Sequence, residues 1–376
     1  MPELPFRSYV LISRDQLVRN YRSVRAAAGP GVAVMAVVKA NAYGHGAIEI
    51  SRMLIAEGVE WLAVSSVNEG VALRRAGIET PILVMSGFLP YEWPALADNR
   101  LTPAVHSLEG LRRLENLARE SGKSADFHLK IDSGMYRLGT RATVAEIIAA
   151  LGETKHARLD GIMTHFASPA DYTSEQTSEQ IAYFAGIIEG LRSAGFSPAN
   201  IHMSSTNALA YVRNLSWLTM VRPGHALYGY VSPARGDGPR PALHVKPVLT
   251  WKAKILVVKD IPEGARVGYG GSYRAPEPMR IAVLAAGYAD GVPHRLSGRG
   301  KVIAAGQLVP ILGTVSMDLT TIDVSQADSL APGDEVTLLG REGNAGLDAQ
   351  QIARMAGTIS YAILCGIGDR VQRVYV

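Results

Sequence analysis

The chain carries one cysteine, Cys365, in 376 residues. That excludes an internal disulfide and any metal cluster built on cysteine ligands, and no metal is expected. No run approaches the ~18–20 apolar residues that cross a bilayer. The opening MPELPFRSYVLISRDQL has neither an apolar core nor a small-residue cleavage site, so no signal peptide is expected and the cytoplasm is the expected location. Charge of either sign is thinly spread. The net value is +4 with no basic run, which argues against nucleic acid or a membrane surface as partner and leaves room for a small anionic ligand at a local basic site. What is present is a 47% hydrophobic, 19% charged composition suited to a substantial soluble core, over a length that favours two domains.

Short apolar runs alternate with segments of helical period through the first two thirds of the chain. Candidate strands are 32–39, 61–65, 81–85, 101–105, 127–131, 158–163, 200–203 and 219–221. Helix starts are signalled by Ser13 three residues before Gln16, by Asn68 opening NEGVALRRAG, and by Ser107 opening SLEGLRRLENLARESG. Eight strands, each followed by a helix, describe an α/β fold of the (β/α)8 TIM-barrel type. An open doubly wound sheet shows the same alternation; the count of eight favours closure. After about residue 240 the texture changes. The Pro- and Gly-rich VSPARGDGPRP reads as a linker, and short strands at 248–258, 279–285, 301–304, 307–312 and 335–339, with one helix near 348–356, describe a mostly β second domain. The expected division is a barrel over 11–240 and a β domain over 241–376.

The segment VAVMAVVKANAYGHG ends an apolar run in Lys39, before a turn through Asn41, Tyr43, Gly44, His45 and Gly46 and a helix beginning near Ala47. An amine at the mouth of a buried strand can be desolvated, which lowers its pKa and suits it to Schiff-base chemistry. A strand end meeting solvent accounts for such a lysine equally. Barrel enzymes gather reactive groups after the C-terminal strand ends. Lys39 closes the first strand here. Lys130 closes the fifth, with Asp132, Met135 and Arg137 following in KIDSGMYRLG, and His165 follows the sixth in GIMTHFAS. Ser204, Ser205, Thr206 and Asn207 follow the seventh, and Arg222, Gly224 and His225 the eighth in VRPGHALYG. Hydroxyls after strand seven and a glycine turn after strand eight suit a phosphate. The same Ser-Thr pair would cap the helix NALAYVRN, and the arginines would serve as solvated loop charges. A phosphate corner, a Schiff-base lysine and two arginines in one mouth point together to pyridoxal 5'-phosphate.

VVKANAYGHG, KIDSGMYRLG, THFA, VRPGHALYG, VGYGGSY, GYADG, GTVSMD and ISYAILC, in this order over nearly the whole chain, closely resemble the alanine racemase family. The resemblance implies a barrel binding pyridoxal phosphate, a β domain that also uses residues 1–10, and a homodimer with active sites completed across its interface. It implies L- to D-alanine interconversion by two bases on opposite faces, supplying D-alanine for cell-wall peptidoglycan. Lys39 would be one base and Tyr269, donated by the other subunit, the second. A phenol is a weak base near neutrality and needs help; His165 resembles its hydrogen-bond partner, with Arg222 behind the pair and facing the cofactor's ring nitrogen. Tyr43, Thr206, Gly224, His225 and Tyr361 match cofactor contacts, His225 through its backbone N–H. Arg137, Met317 and Tyr288 match substrate positions, and Lys130 a lysine that is carbamylated in many members. On residue chemistry alone Tyr269 reads equally as a strand tyrosine, and Met317 as a packed core methionine.

Three positions depart from the usual pattern. Tyr136 replaces a small residue, Thr314 a frequent arginine, and His225 an aliphatic residue. The first two bear on which amino acids reach the site, so a racemase acting on serine or larger residues stands as the alternative. A basic amino-acid decarboxylase of the same barrel class, a small barrel that carries the cofactor with little catalysis, and a barrel without the cofactor stand further off.

Overall fold

The computed structural model describes residues 5–211, 218–327 and 329–376. They form two compact units: one of Leu17–Ala42 with Ala47–Lys246, the other of Met1–Gln16, Tyr43–Gly46 and Pro247–Val376. The first strand, β1 (Ser8–Ile12), belongs to the second unit.

The first unit is a ring of parallel strands: β2 (Ala33–Val37), β3 (Trp61–Val64), β4 (Ile82–Val84), β5 (Thr102–Val105), β6 (Ala125–Lys130), β7 (Ala157–Met163), β8 (Asn200–His202) and β9 (Met220–Val221). Each pairs with its successor from β2 to β8, and β9 closes the ring. It pairs with β2 through Ala33 and Met220. On its other side Thr219 N–H donates to Ile201 O at 3.1 Å and Arg222 N–H to Ser204 O at 2.8 Å. Closure rules out the open doubly wound sheet. Runs such as Val34–Val37 and Ile82–Val84 are buried throughout, as strands covered on both faces require.

Helices follow the strands with local chemistry that explains their starts. The helix Val67–Arg75 is capped by Ser66 rather than Asn68: Ser66 Oγ accepts from Glu69 N–H while the Glu69 carboxylate accepts from Ser66 N–H. The expected cap at Ser107 is observed, its Oγ accepting from Gly110 N–H at 2.9 Å. The helix expected over 207–214 is observed as Thr206–Ala210, and its last residues lie outside the described ones.

The second unit is built on one large sheet whose spine is β10 (Leu249–Ile261). Buried and half-buried residues alternate along the first half of β10, the period of a strand with one face on a core. β1 lies antiparallel to β10 and parallel to the last strand, Gln372–Tyr375. That last strand and Thr320–Asp323 carry too little apolar alternation to stand out in the sequence; pairing with long neighbours makes them strands.

Candidate active site

Lys39 stands immediately after β2, where the chain makes a left-handed helical turn. Ala40, Asn41, Ala42 and Tyr43 all have φ between 51° and 53°. For residues with a Cβ this costs about 1–2 kcal/mol each. Side-chain and backbone bonds hold the turn within the barrel unit. Ala42 N–H donates to Val38 O at 2.8 Å, Ala40 N–H to Glu69 Oε1 at 2.7 Å, and Ala47 N–H to Asn41 Oδ1 at 2.8 Å. Glu69 thus caps its own helix and ties down the residue after Lys39. Strain of this kind is concentrated where a side chain must be aimed.

Around the same mouth the fold collects cations. Lys130, at the end of β6, is 6% exposed and Arg222, after β9, is 3% exposed. Burial, with Arg222 and Arg137 nearby, pushes the Lys130 amine down to about 8 against a weaker pull from Asp132; Lys39 adds to the lowering. His165, after β7, is pushed down to about 3 by burial and then by Arg222, Lys130, Arg137 and Lys39. Burial alone pushes Arg222 down to about 9. Its Nη2 donates to Thr164 O at 2.7 Å and to His165 Nδ1 at 3.2 Å, and its Nη1 to His202 Nδ1 at 2.8 Å. An arginine only donates. His165 Nδ1 is therefore an acceptor, and the proton of this neutral ring sits on Nε2.

The loop carrying Arg137 is a compact knot. Asp132 Oδ1 accepts the N–H groups of Gly134, Met135 and Tyr136, each at 3.0 Å. Burial raises the Asp132 pKa, but these bonds outweigh it and keep the carboxylate ionised below its usual range. A Cβ on Gly139 would come within 2.6 Å of Asp132 N, so only glycine fits where the loop returns. Tyr136 takes a left-handed φ of 54° with its ring on the Arg141 guanidinium at 4.9 Å; Tyr183 lies on that guanidinium too, at 5.1 Å.

At the corner after β8 and β9, Thr206 Oγ1 accepts the N–H groups of Gly224 at 3.2 Å and Ala226 at 3.1 Å. The hydroxyl links the two turns instead of capping its own helix, and Ser205 makes no side-chain cap bond there. The His225 ring is buried and stacks on Tyr230 at 5.0 Å.

The remaining expected site residues lie in the second unit. Tyr43 and Tyr361 pack with ring centroids 5.9 Å apart, and burial, with Tyr361 and Cys365 adding, raises the Tyr43 phenol well above its usual range. A Cβ on Gly44 would sit 2.3 Å from Leu364 O, which explains the glycine after Tyr43. Tyr269 is not a strand residue. It sits in a tight turn between Gly268 and Gly270, both at positive φ, and is 75% exposed. Thr314 supports that turn, its Oγ1 donating to Tyr269 O at 3.1 Å. Met317 is 53% exposed, so it is not a packed core methionine, and Tyr288 is also exposed.

The model of the alanine racemase N-terminal domain matches residues 12–233, and that of the C-terminal domain matches residues 248–375. The chain belongs to the alanine racemase family. An alanine racemase of Synechocystis sp. is 38% identical over 374 residues, covering 98% of this chain and 99% of that one. Among solved structures, the alanine racemase of Clostridium difficile 630 superposes with a TM-score of 0.92 at 32% identity, covering 100% of this chain and 97% of that one. The alanine racemase of Bartonella henselae, solved with covalently bound pyridoxal phosphate, superposes with a TM-score of 0.86 at 27% identity over 99% of this chain and 100% of that one. The racemase barrel uses residues that gave no signal in the sequence. His202 lay within the motif IHMSSTNA without a role, and Glu69 and Gln180 read as ordinary helix residues. Gln180 in fact bridges Ser133 Oγ and His165 O, at 3.2 and 3.1 Å.

Proposed function

We propose that this chain interconverts L- and D-alanine with pyridoxal 5'-phosphate, as a cytoplasmic homodimer with shared sites whose D-alanine serves cell-wall peptidoglycan. The observation that carries the reading is the set of cations Lys39, Lys130, Arg137 and Arg222 around one half-buried neutral histidine, His165, at the barrel mouth. The neighbouring cations lower the pKa of the Lys130 amine and of the His165 ring, and a bound anion would relieve that crowding of positive charge. The cofactor's phosphate and an amino acid's carboxylate are anions of the right kind, so the residues present fit the group.

Lys39 would hold the cofactor through Nζ. Thr206, Gly224, the His225 backbone, Tyr43 and Tyr361 would hold its phosphate end, and Arg222 its ring nitrogen. When bound, the cofactor withdraws electrons from the substrate α-carbon and so acidifies its C–H. Racemisation takes the α-proton from one face and returns a proton on the other. Lys39 Nζ, freed once the substrate's own amine takes its place on the cofactor, would take it on one face while the phenol of Tyr269 of the partner subunit would give one on the other, and the roles would exchange in the reverse direction. His165, with its proton on Nε2, is able to donate to the phenolate left behind. Arg137 would bind the substrate carboxylate, held by Lys130 if that amine is carbamylated; a lysine pushed down to about 8 supplies the neutral amine such a reaction needs. Met317 and Tyr288, exposed on the second unit, would contribute to the substrate's surroundings from the partner subunit. We assign the cofactor-binding role to a barrel spanning 11–240 and the completing role to 241–376 with 1–10.

The test is a racemisation assay on the L and D forms of alanine, serine, lysine and arginine, followed by borohydride reduction and peptide mass analysis. Racemisation confined to alanine and a pyridoxyl mass on Lys39 are expected. Absence of the modified lysine overturns the cofactor assignment, and equal rates on large side chains move the reading to the broad-specificity racemase left open by Tyr136 and Thr314.

A further inference from the structure

The bore of a (β/α)8 barrel is ordinarily filled by branched apolar side chains. On one side of this bore runs an unbroken polar chain. Asp160 Oδ2 on β7 lies 3.2 Å from His128 Nε2 on β6. His128 Nδ1 lies 2.8 Å from His202 Nε2 on β8, and His202 Nδ1 lies 2.8 Å from Arg222 Nη1. The His128 ring is 5.3 Å from the ring of Trp61 on β3, three places away around the ring of strands, so the contact passes through the interior. Both imidazoles are fully buried, and burial holds both below the usual histidine range, in the neutral form.

Two backbone features make room for the chain. The register between β6 and β7 slips between Phe127 and His128: Phe127 faces Leu159 and His128 faces Gly161, which leaves Asp160 as the extra residue of a bulge. Bulges of this kind re-aim a side chain beside active sites. At Gly161 a Cβ would lie 2.7 Å from the His128 ring, so the ring occupies space that only glycine leaves. Asn200 Nδ2 adds a bond to Asp160 Oδ2 at 2.9 Å.

The ends of the chain fix its proton pattern. Arg222 can only donate, so His202 Nδ1 accepts and Nε2 carries the proton. His202 Nε2–H then donates to His128 Nδ1, and His128 Nε2–H donates to Asp160. We propose that Asp160 is a positioning residue for Arg222, acting through His128 and His202 to hold the guanidinium's orientation and charge at the barrel mouth. The reverse arrangement would point N–H at N–H where His202 meets Arg222. A buried polar chain is costly when any member is unsatisfied and directional when all are satisfied, and this one is satisfied from carboxylate to guanidinium.

The inference deepens the racemase reading and rests on it only for its kinetic arm. On the 15N-histidine-labelled holoenzyme, side-chain NMR is expected to show His128 and His202 each protonated on Nε2 and bare on Nδ1. Asp160→Asn, close in shape but uncharged, is expected to disturb those signals and to lower kcat roughly 10-fold while KM for alanine stays within about twofold, because Asp160 touches no substrate. Asp160→Ala should lose more; if it does not fold, the asparagine variant decides. A proton on His202 Nδ1 in the wild-type protein overturns the proposal, as does a wild-type kcat in Asp160→Asn. A wild-type protein that does not racemise alanine would sink the racemase reading, and the tautomers would still decide the chain.

Discussion

At the barrel mouth, Arg222 and Lys130 are almost wholly buried and every nitrogen contact of Arg222 is to a neutral acceptor. On the second unit, Tyr269 and Met317 are mostly exposed, on turns set by glycines and backbone bonds. The first set is preorganised by one folded chain: strands aim it, burial tunes it, and hydrogen bonds fix its protons. The second has a hydrogen-bonded turn backbone and an exposed side chain. That is the condition of a group whose surroundings come from elsewhere, and it supports a site shared between two copies.

The sharpest way to break this contrast is to mix two dead variants. Lys39→Ala and Tyr269→Phe should each lose about 10³-fold in racemisation, as expected for removal of a positioned base. Mixed and re-associated, they should regain activity at about one site in four, since about half the dimers are mixed and each has one intact site. No recovery would place Tyr269 in its own chain's site.

A smaller effect is expected at Arg222, whose charge faces the ring nitrogen in the proposed arrangement. Arg222→Glu should favour protonation there, strengthen electron withdrawal, and raise the fraction of turnovers that end in the amine form of the cofactor by about 10-fold. Chromatography of the released cofactor checks this, and an unchanged fraction would detach Arg222 from the ring nitrogen.

Smaller again is a pH effect on stability. Lys130 is pushed down to about 8 in the folded protein. An unfolded lysine titrates near ~10.4, so between those values the unfolded chain holds a proton that the native one lacks, and stability rises with pH. The cost of burying the ammonium is present in full below about 8. Lys130→Met should flatten that rise in melts between pH 8 and 10 under carbon-dioxide-free conditions. A wild-type slope in the variant would deny that the mouth is buried as described.

Least of all should change at Tyr136. Glycine there removes about 1–2 kcal/mol of left-handed strain. It also loses a cation–π contact of about 0.5–1 kcal/mol and adds backbone entropy of similar size to the unfolded chain. The melting temperature of Tyr136→Gly should move by only a few degrees in either direction, and a large loss would mean that the ring holds the Arg137 loop.

Much of the barrel was legible in the sequence because buried parallel strands read as apolar runs of fixed spacing, and the rim residues follow them directly. Lys39, Lys130, His165 and Arg222 were found for that reason. Asp160 was not, because its direction depends on a one-residue slip between β6 and β7 that leaves no compositional trace. The left-handed turn after Lys39 was legible as a turn but not in its hand, since Ala40 and Ala42 carry no preference for positive φ. The cap at Ser66 was displaced to Asn68 by two residues that are both good caps, and only the reach of Glu69 decides between them.

By itself, then, the sequence determined the strand count of the barrel, the resemblance to a family, and which reactive residues lie at strand ends. Tertiary structure alone decided which nitrogens of His165, His202 and His128 carry protons, how far burial depresses Lys130 and Arg222, and that Tyr269 is left exposed on its turn. Proton positions and pKa values depend on which groups lie within a few ångströms, and those neighbours come from strands distant in the chain.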